Sequence, residues 1–520
     1  MKLSNLLKAA TKAGAFVETE LCILLGRSIT HPATAAQALE QWLAALGELP
    51  PVRGRILITA LRNPTWIEWA AYCACIARQS GYEATLVYDG ELVRRFYPQG
   101  RFGRNFFRGL HRIPGIELVD LLAKGENLAP SPGLLAEAEE WAPVALAYDY
   151  HVEEHDIRTQ KEKYHTAWSS FVSRASTLAA GLDHFLQGRS FHRALCYSGL
   201  ISESKLLLGI LRGHNIQTVC LEGWAWRPGH MIYNLNAPAL EYNVLGWMRS
   251  LGDWDAKKEQ EVNAYLRFLD GKVQDAAWLN NFYRIQRDEL SASLSEPLRS
   301  FVAGDAPVFL LAPNVIGDSS TLRRETIFPS MQVWIEQVIR WFGERPQFKL
   351  VVRAHPAERW IGSKCAIYIG DVARRAAEGM PNVHVIDSAE SVNTFSLIPF
   401  ARAGLAWLSS AGVDFVVRGL PTVVAARPKY TGLGIVDEPA SAEAYFELLE
   451  KWSVQATRPE PKQILQGKRY LHMVFKGFSF EAGGRDYRAT GLKLGSMLNQ
   501  PEHDRFYRIL FGDEPMPDVK

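Results

Sequence analysis

Two runs decide the fold: Phe348-Lys-Leu-Val-Val-Arg-Ala-His-Pro-Ala-Glu358 and Leu405-Ala-Trp-Leu-Ser-Ser-Ala-Gly-Val-Asp-Phe-Val-Val-Arg-Gly-Leu-Pro-Thr-Val-Val-Ala425. The first is a buried-strand pattern that stops at Arg353, His355 and Pro356. The second reads as a strand over 405–408, a turn at Ser409, Ser410, Ala411 and Gly412, a short helix over 413–418, a break at Gly419-Leu420-Pro421 and a strand over 422–425. Short apolar runs bounded by turn residues fit strands of a parallel sheet covered on both faces. Such sheets take ligands at the C-terminal ends of their strands, where small and polar residues gather here. Ser409, Ser410 and the N–H groups of the turn suit a phosphate at a helix start. Arg353 offers a cation and His355 a titratable donor.

Working outward, strands are expected over 55–60, 84–88, 193–197 and 216–221, alternating with helical patterns. A second alternation begins with Pro307-Val-Phe-Leu-Leu-Ala-Pro313 and continues through 348–353 and 382–386, with helices over 253–300 between the two. Asn314 opens a polar loop after 307–313, on the ligand-facing side. The expected class is α/β, with a helical segment over 1–50 and two Rossmann-like domains over 51–299 and 300–490 that face a cleft. Extra helices close the chain, the last over 491–520.

The 520 residues are 47% hydrophobic, enough for two full cores, and the formal charge of +2 gives no reason to expect nucleic acid. Six cysteines without Cys-x-x-Cys spacing point to reduced thiols and a cytoplasmic protein. No apolar run reaches the roughly 18–20 residues of a membrane span. Between Glu91 and Glu117 there is no acid, and six arginines interleave with five aromatic residues over 94–112. That stretch suits an anionic membrane surface or an anionic glycan, as well as an ordinary solvated loop. His151-Val-Glu-Glu-His155 matches a metalloprotease pattern that places both histidines on one helix face, but a charged helix start explains it better. Asp253-Trp-Asp255 matches a metal-holding Asp-x-Asp, and a helix cap explains it better. No metal is expected.

Ile216–Leu221 leads into Glu222-Gly-Trp-Ala-Trp-Arg-Pro-Gly229. A carboxylate before glycine at a strand end is placed to face a cleft, so Glu222 is a candidate general base and equally a turn carboxylate. Trp224 and Trp226 could stack on a sugar ring. Glu203 and Asp149 are weaker base candidates.

Arg353-Ala-His355-Pro356, followed by Ser409-Ser410-Ala-Gly412, Gly419-Leu-Pro421 and Arg427-Pro-Lys-Tyr-Thr-Gly-Leu-Gly434, resembles the capsule polysaccharide glycosyltransferases, the Kdo-transferase-like and polysialyltransferase-like enzymes. The likeness covers about 190–435. It implies a GT-B fold whose last helix crosses back onto the first domain. It also implies a CMP-activated acidic sugar, such as Kdo or a sialic-acid-like sugar, moved with inversion and without a metal to a surface glycan or lipid-linked acceptor. On that basis Arg353, His355, Pro356, Asn314, Ser409, Ser410, Ala411 and Gly412 would bind the donor, with Glu222 and His355 catalytic. Trp224, Trp226 and Arg227 would face the acceptor. Ala425-Ala-Arg427 departs from the glycine-rich approach usual in the family. Two rivals are a UDP-sugar transferase or epimerase on the same fold, and a non-catalytic polysaccharide assembly protein.

Overall fold

The computed structural model describes residues 48–61, 64–96, 109–224, 230–271, 292–358, 366–477, 479–481 and 505–512. Two sheets organise them. The first contains β1 (Gly54–Ala60), β2 (Tyr82–Tyr88), β3 (Ile116–Asp120), β4 (Arg193–Tyr197), β5 (Thr218–Gly223), β6 (His230–Leu235) and β12 (Phe480–Glu481). Its order is β12-β6-β5-β4-β1-β2-β3, parallel from β3 to β5, with β6 and β12 antiparallel. The second contains β7 (Val308–Ala312), β8 (Lys349–Arg353), β9 (Val383–Ile386), β10 (Ala401–Ala406) and β11 (Thr422–Val424), all parallel, in the order β11-β10-β7-β8-β9. Each parallel set is doubly wound, so chain direction reverses beside its first strand and a crevice opens there.

The strands lack polar alternation because both faces are covered. Ile56 and Ile58 of β1 enter one core while Leu57 enters the core on the opposite face. In β7, Phe309 and Leu311 pack on one side and Val308, Leu310 and Ala312 on the other. Fully burying each of these side chains larger than alanine is worth about 1.5–3 kcal/mol. A further apolar cluster joins the halves, bringing Trp224 and Tyr242 together with Val416, Val424, Leu471 and Phe475.

Loops of the two halves meet. Gly317, after β7, lies against the end of the Pro132–Tyr150 helix. A Cβ there would stand 2.6 Å from the Ala147 carbonyl oxygen, and its φ is +69°. Glu153 of the first half accepts from the Met331 and Gln332 amides at 2.6 and 3.0 Å, closing the N-terminus of the Met331–Gly343 helix of the second half.

The return to the first half starts earlier than 491. β12 already belongs to the first sheet, so a second domain reaching 490 is too long. The Arg505–Phe511 helix then packs on the first core, where the Ile509 and Phe511 carbonyls accept from Arg193 and Tyr82. The helix expected near 501–511 is thus present over the described part. Residues 1–47, most of 94–112 including 97–108, and 482–504 lie outside the described residues. Among the described residues no helix is long and apolar enough to cross a membrane.

Candidate functional site

At the switch point of the second sheet, β7 and β10 lie side by side and their C-terminal exits are cross-linked. Asn314 Oδ1 accepts from the Leu408 amide at 3.2 Å. Ser409 Oγ accepts from the Ala411 amide at 3.2 Å, and its carbonyl accepts from Gly412 N and from Tyr430 Oη at 3.0 and 2.7 Å. A Cβ on Gly412 would lie 2.6 Å from Tyr430 Oη, so this turn needs glycine at that position. Ser410 is the N-cap of the Ala411–Val417 helix and its side chain makes no cap bond. Asn314, Ser409, Ser410 and Ala411 are all partly exposed.

His355 follows β8, the neighbour of β7 on its other side. Its Nδ1 accepts from the Ala357 amide at 3.1 Å, so the neutral ring carries its proton on Nε2. Burial pushes its pKa down to about 4, against an opposing pull from Asp318 and with some help from Arg353. Near neutral pH the ring is therefore an uncharged N–H donor. Pro356 is buried at the start of the turn that sets this geometry.

Arg353 departs from the expected donor contact. It is 2% exposed, and its guanidinium donates to the carbonyls of Asp387, Glu390 and Val392 at 2.5, 3.2 and 3.5 Å. It pins the loop after β9 to the end of β8 and so supports the His355 turn from below.

On the first half, Glu222 is buried near the end of β5, opposite Ile232 of β6. It lies close enough to Lys429 of the second half to favour that lysine's charged form. Trp224 is not an open platform for a sugar. It is 6% exposed, donates from Nε1 to the Val474 carbonyl at 2.7 Å and meets Tyr242 edge-on. Trp226 and Arg227 lie outside the described residues. Glu203 forms an ion pair with Arg174 at 3.4 Å, and Arg174 also holds buried Asp89. Asp149 lies in the last turn of the Pro132–Tyr150 helix.

The two short metal-like patterns have structural explanations. His151 is a left-handed C-cap at φ 48° and the next helix starts at Glu154, so the two histidines do not share one helix face. Asp255 caps the Ala256–Leu269 helix, accepting from Lys258 N at 2.8 Å.

The structure adds residues that no local pattern marks. Glu325 and Ala426 form an antiparallel bridge, and Arg427 N donates to Arg324 O at 2.9 Å, which sets the two arginines side by side. Lys429 reaches across to the Leu240 carbonyl of the first half. Burial, and then Arg324, bring the Lys429 pKa down to about 7, opposed by Glu241 and Glu222. Arg427 and Lys429 belong to a segment noticed in the sequence. Arg324 lies far from it along the chain, and only the bridge brings them together.

No family model matches the chain, and no curated protein matches it. Among solved structures it is similar to the Thermosulfurimonas dismutans KpsC beta Kdo 2,4 transferase over 54% of this chain and 79% of that one, at 14% identity and a TM-score of 0.33. A UDP-N-acetylglucosamine 2-epimerase matches over 83% and 92% at 13% identity and 0.24. CalG4, the calicheamicin glycosyltransferase, matches over 82% and 95% at 14% identity and 0.26. At these values the likenesses set neither activity nor ligand, and the two-sheet α/β architecture rests on the strand orders themselves.

Proposed function

We propose that this chain is a glycosyltransferase that takes a sugar from a nucleotide donor at the C-terminal edge of the second sheet. The reading rests on one observation: Asn314, the His355 turn and the Ser409–Gly412 turn occupy the exits of three adjacent strands around the switch point. Neighbouring strands are about 4.8 Å apart, so the outer two of these groups stand about 10 Å apart, room for a phosphate with a hydrogen bond on either side. The Ser410 hydroxyl and the His355 Nε2–H would receive the charge that develops on the departing phosphate.

The rest of the reaction follows from the opposite wall. Glu222 would accept the proton of the acceptor hydroxyl as its oxygen bonds to the anomeric carbon. The bond from that carbon to the phosphate oxygen breaks on the other face, which inverts the centre. No metal is used in this scheme. The finer assignment, a CMP-activated acidic sugar and a surface glycan or glycolipid acceptor, draws its support from the ordered motifs of 353–434. Peripheral attachment to an anionic membrane on the cytoplasmic side, through 94–112, belongs to the same proposal and rests on sequence alone.

Calorimetric titration of the whole chain with CMP and with UDP tests the donor. Tighter binding of CMP supports the CMP-sugar reading, and tighter binding of UDP replaces it with a UDP-sugar transferase or epimerase. Binding of neither overturns nucleotide-sugar use and leaves the non-catalytic reading.

A further inference from the structure

The Arg324–Arg427 pair is costly as it stands. Like charges held beside one another repel, and partial burial weakens the water that would screen them. Burial and then Arg427 disfavour the charge on Arg324, with Glu241, Tyr242 and Tyr470 opposing. Neither guanidinium has an ion pair or side-chain hydrogen bond among the described residues. A third cation, Lys429, comes from the same loop, and its Nζ is fixed by the Leu240 carbonyl. The other charged groups in reach are Glu241, which is exposed, and buried Glu222. Two guanidiniums and Lys429, which burial leaves only partly charged at neutral pH, stand against two carboxylates among the described residues, a small positive excess at the meeting of the two halves.

The position is also specific. Tyr430, the residue after Lys429, ties this loop to the Ser409 carbonyl. The loop therefore stands at the exit of β11, next to the β10 exit and its serine turn. On the other side Lys429 faces Glu222. The cations thus lie on the stretch of surface between the serine turn's loop and the Glu222 side of the first half.

We propose that Arg324, Arg427 and Lys429 form an oxyanion-binding subsite between the halves, distinct from the serine turn, that takes a carboxylate or phosphate group carried by a substrate. The placement between phosphate turn and base rests on the glycosyltransferase reading; the anion subsite itself does not. Paired guanidinium forks bind planar or tetrahedral oxyanions in two-point contact, and a lysine adds a point charge.

The test uses the whole chain at fixed ionic strength, with binding read by thermal shift and by protection of arginines from phenylglyoxal. The probes are N-acetylneuraminate for a sugar carboxylate, glycerol 3-phosphate for an acceptor-type phosphate, and chloride as control. At least one oxyanion probe should bind the wild type and protect Arg324 and Arg427. Its affinity should fall about tenfold or more in Arg324→Gln/Arg427→Gln. Arg427→Gln alone, at an exposed position, should show part of the loss and guards against misfolding of the double variant. Which probe responds identifies the source of the anion. If neither probe binds, or if both bind the variants as they bind the wild type, the subsite is refuted. CMP and UDP titrations separate the two claims. Nucleotide binding with no arginine-dependent oxyanion sinks the subsite alone, and arginine-dependent oxyanion binding with no nucleotide sinks the nucleotide reading alone.

Discussion

His355→Ala is the sharpest perturbation of the donor side. With Nδ1 accepting from Ala357, Nε2–H is the donor that the proposed phosphate contact uses. A hydrogen bond to a charged partner is worth about 1.5–3 kcal/mol, so the nucleotide Kd should rise roughly 10- to 150-fold. His355→Gln, which keeps an N–H donor on a side chain of similar reach, should recover part of that loss. The pH dependence tests the cause. With a pKa near 4 the ring stays neutral from pH 5.5 to 8, so the ratio of variant to wild-type Kd should be flat across that range. Taking the ratio removes the titration of the nucleotide's own phosphate near pH 6. A ring with an ordinary pKa would gain charge as pH falls through about 6.5, and the ratio would climb. Calorimetry of CMP or UDP binding at four pH values reads both quantities. An unchanged Kd would refute the phosphate contact, and a ratio that climbs on acidification would refute the neutral donor.

Glu222→Gln should leave nucleotide affinity within about twofold and cut transfer on the order of 10²–10⁴-fold, read as product formed from a CMP-sugar; lost nucleotide affinity would move Glu222 to the donor side. Glu153→Ala removes the acceptor of the Met331 and Gln332 amides and should lower stability by about 1–3 kcal/mol for each amide left unsatisfied, seen as faster hydrogen exchange in 331–343. Burial raises the Glu153 pKa to about 7, above the unfolded value near 4.5, so its contribution is greatest below pH 4.5 and falls away as pH rises through 7. Urea midpoints of Glu153→Gln should lack that slope, and an identical slope in the variant would count against it. Gly317→Ala forces a side chain into the left-handed region against Ala147 and should cost at least about 1–2 kcal/mol while loosening the contact between the halves, measured by exchange at the end of 132–150.

The sheets were legible because strands buried on two faces write long apolar runs, and β4, β7 and β8 lie within a residue or two of where the pattern puts them. The serine turn and Asn314 were legible for the same reason, as polar residues at strand exits. β3 and β6 were missed. Ile116–Asp120 is short and mixed with acids, and His230–Leu235 follows a tryptophan-rich stretch that suggested a ligand loop. Pro143 is absorbed within one long helix, Pro132–Tyr150. Arg353 and Trp224 show the limit for sites. Each has the right chemistry at a strand end, but its partners, the carbonyls of 387–392 and of Val474, come from segments whose return the local sequence does not encode. Arg324 was illegible for the converse reason.

The closure of the first sheet by β12 and the Arg505–Phe511 helix constrains how the protein is made. Its edge strand, and the carbonyls that accept from Tyr82 and Arg193, come from residues translated after the whole second sheet. During synthesis the first half must wait on the ribosome with Tyr82, Arg193 and the outer side of β6 uncovered, while 308–424 already holds every strand of its own sheet. Domains fold as units as they emerge, so the second half should reach its native state before the first is finished. Nascent chains arrested once the Ala442–Val454 helix, which completes the second core, has left the ribosome should accordingly resist protease in the second half and remain cleavable around 54–235.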